Sequence, residues 1–365
     1  MKLIYLLFLV SFSFSQTHSK QIEKYIFNYQ FDAGFKYMDE YKSEFRKPTY
    51  GLFRAVLNFY RYFSDQPSDR NKRFIDDMVF ATKAVTERED EILEAGVTED
   101  ILMLGGCQGF EAMGEFLRKN RFSALRLADR ANTILEELYE NDTTAVDALF
   151  GMGIYNYALS KPPKILQWVL AVLGYSGDYD LGIKYLKKVG IEGTFTNVQS
   201  LIFLINHSLY ERKKYDFVYP LLNEFTDEFK QTPMFLYKSV QLNYYMKKYF
   251  IMEHSFSQLN EYSIPSYVYS RSRLFLAKSY IERENFTKAE SILNSVSNAK
   301  KRLKGSMYYD LRETYADNYF AQKMYKKAHA IFISIYEHTN VDRRRDRIEL
   351  KLEKIEDLTE NELSY

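Results

Sequence analysis

Two stretches near the C-terminus of this chain are copies of one another. Leu276-Ala277-Lys278-Ser279-Tyr280, Phe286-Thr-Lys-Ala289 and Leu293 recur as Tyr315-Ala316-Asp317-Asn318-Tyr319, Tyr325-Lys-Lys-Ala328 and Phe332, every position displaced by 39 residues. Small residues return where two helices must approach closely, and aromatics return where a gap between them must be filled. A unit of this length cannot bury its apolar face alone, so a chain that contains it is committed to stacking neighbours. The turn signature of the unit, an aromatic three residues before a small or apolar one, appears again in Phe31-Asp-Ala-Gly34, Tyr179-Asp-Leu-Gly182, Tyr215-Asp-Phe-Val218 and Tyr249-Phe-Ile-Met252. Arg121-Phe-Ser-Ala124 is a weaker relative. From Tyr215 the spacing is 34 to Tyr249, a further 37 to Phe286 and a further 39 to Tyr325.

The rest of the composition agrees with stacked helices. Glycine and proline number only 15 and 7, too few for the many hairpins of an all-β fold and a sign that turns needing special backbone angles are few. Charged residues alternate with paired apolar ones at helical spacing. The fold class is all-α. These residues and spacings resemble the tetratricopeptide repeat, a unit of about 34 residues in two antiparallel helices. The resemblance implies a solenoid of helical hairpins that grips a protein or peptide on the face lined by the first helix of each unit. In the two best units the first-helix positions projecting that way are Arg271, Lys278, Asp310, Glu313 and Asp317. Their mixed signs suggest a ligand of mixed charge, or no peptide ligand. The Lys and Asn pattern with which the family clamps a C-terminal carboxylate is not reproduced.

The N-terminus belongs to something else. Lys2 followed by the apolar run from Leu3 to Phe14, with Ser13 and Ser15 at positions −3 and −1 of a cut before Gln16, is the pattern of a cleaved export signal. The run is shorter than the ~20 residues that span a bilayer. No cysteine follows it, which disfavours a lipoprotein, including a glycan-binding one on the outer membrane. The expected compartment is the periplasm or the cell exterior. Cleavage removes Lys2 and leaves 49 basic against 49 acidic side chains, a neutral chain unsuited to nucleic acid. The single cysteine, Cys107, cannot form an internal disulfide, so packing must hold the fold in an oxidising compartment. The organisation expected is a signal over 1–15 and a helical array over 16–365. Within the array lie an apolar central segment at 147–190, the clearest repeats at 199–340 and a capping helix at 341–358.

The central segment carries a second resemblance. Asp147-Ala-Leu-Phe-Gly-Met-Gly-Ile-Tyr-Asn-Tyr-Ala-Leu-Ser160 leads into Lys161-Pro-Pro-Lys164 and an apolar helix. Tyr175-Ser-Gly-Asp178 and Gly182-Ile-Lys-Tyr-Leu186 follow. The order is similar to the central segment of the eukaryotic tetratricopeptide repeat protein 39 and inclusion-body-clearance family. That resemblance implies tetratricopeptide-like helices, a link to lipid-droplet or organelle surfaces and no catalytic site. Ile165 to Leu173 is apolar almost all round, which suits a helix buried between neighbours. Peripheral membrane or partner contact through Trp168 is the alternative.

Catalytic and metal chemistry find no support in the chain. The five histidines lack a second ligand at zinc-site spacing, and no nucleophile elbow, phosphate loop or dinucleotide fingerprint is present. The expectation is therefore a binding protein with no enzyme activity, no cofactor and no metal. Gly105, Gly106 and Gly109 fall in helical pattern and read as close helix packing. The run Asp342-Arg-Arg-Arg-Asp-Arg347, the densest basic cluster, reads as the solvated face of the capping helix.

Overall fold

The computed structural model describes residues 18–65, 69–161, 170, 174–212, 215–225, 227–298, 303 and 305–363. Among them every regular element is helical and there is no strand, so the fold is an all-α helical-hairpin repeat. The segment 1–15, expected to be an export signal, lies outside these residues, and so does the apolar run 165–173 with Trp168, except for Leu170, which is buried. The chain divides into two compact units, one over residues 1–63 and 69–232 and one over 64–68 and 233–365.

The first unit contains α1 (residues 18–27), α2 (Phe31–Glu40), α3 (Lys47–Ser64), α4 (Asp69–Thr86), α5 (Glu89–Ala95), α6 (Thr98–Leu117), α7 (Arg121–Asn141) and α8 (Ala148–Ser160). It ends with α9 (Tyr179–Glu192), α10 (Asn197–Asn206), a π-helical turn over His207–Arg212, a 3-10 turn over Tyr215–Phe217, α11 (Val218–Asn223) and α12 (Asp227–Lys230). The second unit has three hairpins and a last helix: α13 (Pro233–Tyr245) with α14 (Tyr249–Leu259), α15 (Ser266–Glu282) with α16 (Phe286–Ser297), α17 (Gly305–Ala321) with α18 (Tyr325–His338), and α19 (Asp342–Leu363).

Five hairpins share one turn. Tyr29, Lys119, Lys247, Glu284 and Lys323 sit at φ between 57° and 71°. In each case the next residue donates its N–H to the carbonyl five residues back, at 2.8 or 2.9 Å. That is the Schellman closure of a helix C-terminus, which satisfies carbonyls the helix leaves open. The weaker relative at Arg121 belongs to this set, whereas Tyr179 and Tyr215 do not. Tyr179 opens α9 behind an Asp178 cap that accepts from the Leu181 N–H, and Tyr215 opens a 3-10 turn. Left-handed turns are thus more numerous than the scarcity of glycine suggests. Here long polar side chains occupy positions usually given to glycine, and the closing hydrogen bond offsets the strain.

The repeated small residues lie where the 39-residue register requires. Ala277, Ala289 and Leu293 of one hairpin, like Ala316, Ala328 and Phe332 of the next, are fully buried or nearly so. The last hairpin is closed by α19, whose Ile348, Leu352 and Ile355 pack on Phe332 and Ile335. Those three lie at helical spacing on one side of an otherwise charged helix, which suits a cap: apolar toward the array and polar away from it.

Close approach decides the α8–α9 crossing in the first unit. A Cβ on Gly182 would lie 2.8 Å from the Gly153 carbonyl oxygen, and one on Gly177 would lie 2.3 Å from that of Asn156. The backbones touch where the side chains are missing. Gly105 is pressed likewise by Leu135 and Gly106 by Leu52, but Gly109, expected to pack closely, faces open space. One carboxylate fixes the approach to α10: Asp147 accepts from the N–H groups of Thr194, Phe195 and Thr196 and from the Thr196 hydroxyl, at 2.7–3.0 Å. Cys107 is fully buried, and burial pushes its thiol pKa well above the ordinary range.

Candidate functional site

The first helices of the second unit, α13, α15 and α17, pack side by side, and α19 continues the row against α18. The charged positions on this face form a ladder. Asp310 on α17 accepts Arg271 of α15 at 2.7 Å and Arg344 of α19 at 2.6 Å. Glu313, one turn on, takes a bidentate pair from Arg347 at 2.8 and 2.7 Å, with Lys351 at 3.0 Å. Asp317, a further turn on, accepts Lys351 at 2.6 Å. Burial works against the charge on Glu313, yet Arg347 and Lys351 hold its carboxyl down to about 2. Burial raises the Asp317 pKa against the pull of Lys351.

The expected contact residues Arg271, Lys278, Asp310, Glu313 and Asp317 are therefore brought onto one face, though not as equals. The three acids are engaged by the last helix. Arg344, Arg347 and Lys351 stand 34 residues after Asp310, Glu313 and Asp317, a constant displacement equal to the Tyr215–Tyr249 spacing, with the charge reversed. Arg344 is only 7% exposed. The basic run is thus not simply a solvated face, because two of its arginines, Arg344 and Arg347, are turned onto Asp310 and Glu313 of the preceding first helix. That displacement was the sequence signal available for them.

Lys278 stands apart. It lies in the row of Asp317 and feels that carboxylate electrostatically, but among the described residues no hydrogen bond or ion pair reaches its ammonium. Burial lowers its pKa, the attraction of Asp317 opposes this, and the repulsion of Arg271 adds to it. Its side chain lines a concavity of about 160 Å³ with Tyr244, Tyr245, Arg271, Leu274 and Phe275. The Phe275 ring is the floor, with the Tyr244 and Tyr245 rings 5.2 and 5.8 Å away and the Arg271 guanidinium 5.6 Å from its centre. The Tyr244 hydroxyl is turned to Glu282, which also holds the Tyr249 hydroxyl. At the α13 edge, burial and the nearby Arg271 bring Lys238 down to about 8. Along the face stand six cations, Lys238, Arg271, Lys278, Arg344, Arg347 and Lys351, against the carboxylates of Glu282, Asp310, Glu313 and Asp317. An aromatic floor beside an uncommitted ammonium suits an anionic group carried next to an apolar one.

The first unit holds a smaller polar cluster. His207 receives or donates at both ring nitrogens, to Tyr157 Oη at 3.1 Å and to Tyr179 Oη at 2.6 Å. The Lys161 ammonium lies over both tyrosine rings, at 5.0 and 4.8 Å. Among the described residues no three His, Cys, Asp or Glu side chains converge as a metal site, and no helix is long and apolar enough to cross a membrane. Trp168, the sixth expected contact residue, lies outside the described residues.

No family model matches this chain, and no curated protein matches it in sequence. Among solved structures it is similar to the crystal structure of yeast Tom70, with a TM-score of 0.46 at 14% identity. The superposition covers 85% of this chain and 65% of that one, so the match spans just under two thirds of the Tom70 chain.

Proposed function

We propose that this protein is an exported, non-catalytic helical-repeat scaffold that holds a protein or peptide partner on the first-helix face of its second unit. The observation that carries this reading is Lys278, an ammonium drawn out of water beside an aromatic floor, attracted by Asp317, Glu313 and Asp310 but in no ion pair or hydrogen bond among the described residues. Such a group costs stability, and a fold keeps it where a ligand supplies the missing charge. The concavity, at about 160 Å³, is below the size of cofactor pockets and admits a single side chain or chain end. With Asp310, Glu313 and Asp317 neutralised from within, the face favours an anionic group on the partner over a ligand of mixed charge.

Export rests on Lys2, the apolar run to Phe14 and the Ser13-Phe14-Ser15 cut site. An intact mass beginning at Gln16 checks it. The likeness of residues 147–186 to the tetratricopeptide repeat protein 39 and inclusion-body-clearance family supports a non-catalytic role, since that family has no known catalytic site. The scaffold reading is tested by cross-linking the mature protein in its host and mapping the linked peptides by mass spectrometry. A recurrent protein partner linked to α13, α15 or α17 and lost on Lys278→Glu supports it. A set of partners unchanged by charge reversal at both Lys278 and Asp317 overturns it.

A further inference from the structure

The N-terminal helix α1 is buried on most of its circumference. His18, Ser19, Ile22, Glu23, Ile26 and Phe27 are all below 9% exposed. It contacts its own hairpin partner through the His18–Tyr37 hydrogen bond, and His18 also bonds Glu44 just beyond that helix. It also meets elements of the same unit far along the chain. The Phe27 ring packs edge-on against Phe229 at 5.1 Å and near Tyr60 at 6.4 Å, and Lys24 pairs with Glu228 at 2.6 Å. At the centre of this contact Gln199 of α10 donates Nε2–H to Glu23 Oε1 at 3.1 Å, across 176 residues of chain.

Two features of that contact do not suit a carboxylate. No cation forms an ion pair with Glu23 among the described residues, and it is 6% exposed. The Oε1 of Gln199 is buried with no hydrogen-bond donor. A buried anion without a paired cation and a buried acceptor without a donor are each costly. One proton removes both costs, because a neutral carboxylic acid gives up its charge and gains the O–H that the amide oxygen lacks. We propose that Glu23 is a neutral acid in the closed structure, paired with the Gln199 amide through two hydrogen bonds, and that this pair is a proton-operated latch holding the N-terminal helix against α10.

The surrounding charges agree. Asp147, ahead of α8, repels a Glu23 carboxylate, and so does any charge on Tyr60 of α3. Lys20, one turn back on α1, attracts it but is exposed. Lys24 is committed to Glu228 on α12. Burial is the main cause that raises Glu23 to about 7, with Gln199 and Lys20 opposing and Asp147 adding to it. Deprotonation therefore places an unpaired charge in the contact and favours release of α1. With the carboxyl at about 7 when closed and at its ordinary value of 4.5 when open, the opening equilibrium rises about tenfold between pH 6 and pH 8.5.

The test is hydrogen exchange of the backbone amides of residues 18–29 in the full mature chain, corrected for intrinsic rates, at pH 6 and pH 8.5. Protection in the wild type should fall about tenfold at the higher pH. Glu23→Gln, neutral at both, should lose this dependence and keep the helix closed. A carboxyl carbon titration of Glu23 in the wild type gives the same answer without any variant. Wild-type protection equal at both pH values, a Glu23 carboxyl titrating in the ordinary range, or an unchanged pH dependence in Glu23→Gln overturns the proposal.

Discussion

Replacing Lys278 by methionine separates a structural role for that side chain from a functional one. Its pKa is lowered, so burial together with every neighbouring charge, Asp317 included, still disfavours the ammonium in the folded protein. Removing the charge at nearly constant volume should therefore stabilise the second unit. Replacement of buried ionic groups by apolar ones of similar size is commonly worth 1–4 kcal/mol, and here the lost attraction to Asp317 offsets part of it, which leaves about 1–2 kcal/mol. With a urea dependence of roughly 2 kcal/mol per molar, the midpoint should rise by about 0.5–1 M at unchanged slope. The assay is urea unfolding of both proteins at pH 7, followed by circular dichroism. The same variant should lose the partner that cross-links to α13, α15 or α17. A loss of 1 kcal/mol or more would mean that the ammonium is already satisfied within the fold. Lys278 would then await no ligand.

Glu313 should govern the acid limb of the same unit. Its folded value of about 2 lies below the ordinary 4.5, so its contribution of about 3 kcal/mol is complete above pH 4.5 and is lost as pH falls through the range down to 2. Urea unfolding of wild type and Glu313→Gln from pH 7 to pH 3 should show a gap that narrows on acidification. In the first unit, Asp147→Ala strips an acceptor from three backbone N–H groups and should cost about 3–5 kcal/mol, read by the same assay. At the shared turn, Glu284→Gly should be neutral or stabilising by up to about 1 kcal/mol and Glu284→Val should cost about 1–2 kcal/mol, because φ near 58° excludes a β-branched residue. Cys107 should resist a thiol reagent in the native protein and react fully in urea, since burial suppresses its thiolate.

Much of the fold is legible in the sequence because a repeat reports packing twice. Ala277 with Ala316 and Leu293 with Phe332 occupy equivalent buried positions, and recurrence at 39 residues distinguishes them from chance. The shared turn is half legible. The aromatic that opens the second helix marks four of the five, Arg121 being the exception, but the left-handed residue two places earlier is Tyr, Lys or Glu and carries no glycine signature. Glu23 and Gln199 were not legible at all. They lie 176 residues apart, in parts of the chain that share no repeat register, and only the fold brings them together.

The charged face shows why a list of first-helix residues does not by itself define a binding surface. Arg271 and Lys278 are basic and Asp310, Glu313 and Asp317 acidic, and these mixed signs in adjacent units suggested a ligand of mixed charge, or no peptide ligand. The last helix changes that balance. It brings Arg344, Arg347 and Lys351 onto the three acids, and its Ile348, Leu352 and Ile355 onto Phe332 and Ile335, so one element both covers the apolar end of the array and cancels its negative charge. Partners already bound within the fold cannot also be offered to a ligand without breaking pairs, and for the buried Arg344–Asp310 pair that costs about 3–5 kcal/mol. Arg271 is likewise committed to Asp310. Of the five, Lys278 alone makes no ion pair or hydrogen bond among the described residues, and its side chain lines the aromatic-floored concavity. On the proposed binding reading an acidic group is the better match for this face, because α19 engages the three acids and leaves the Lys278 ammonium without an ion pair among the described residues.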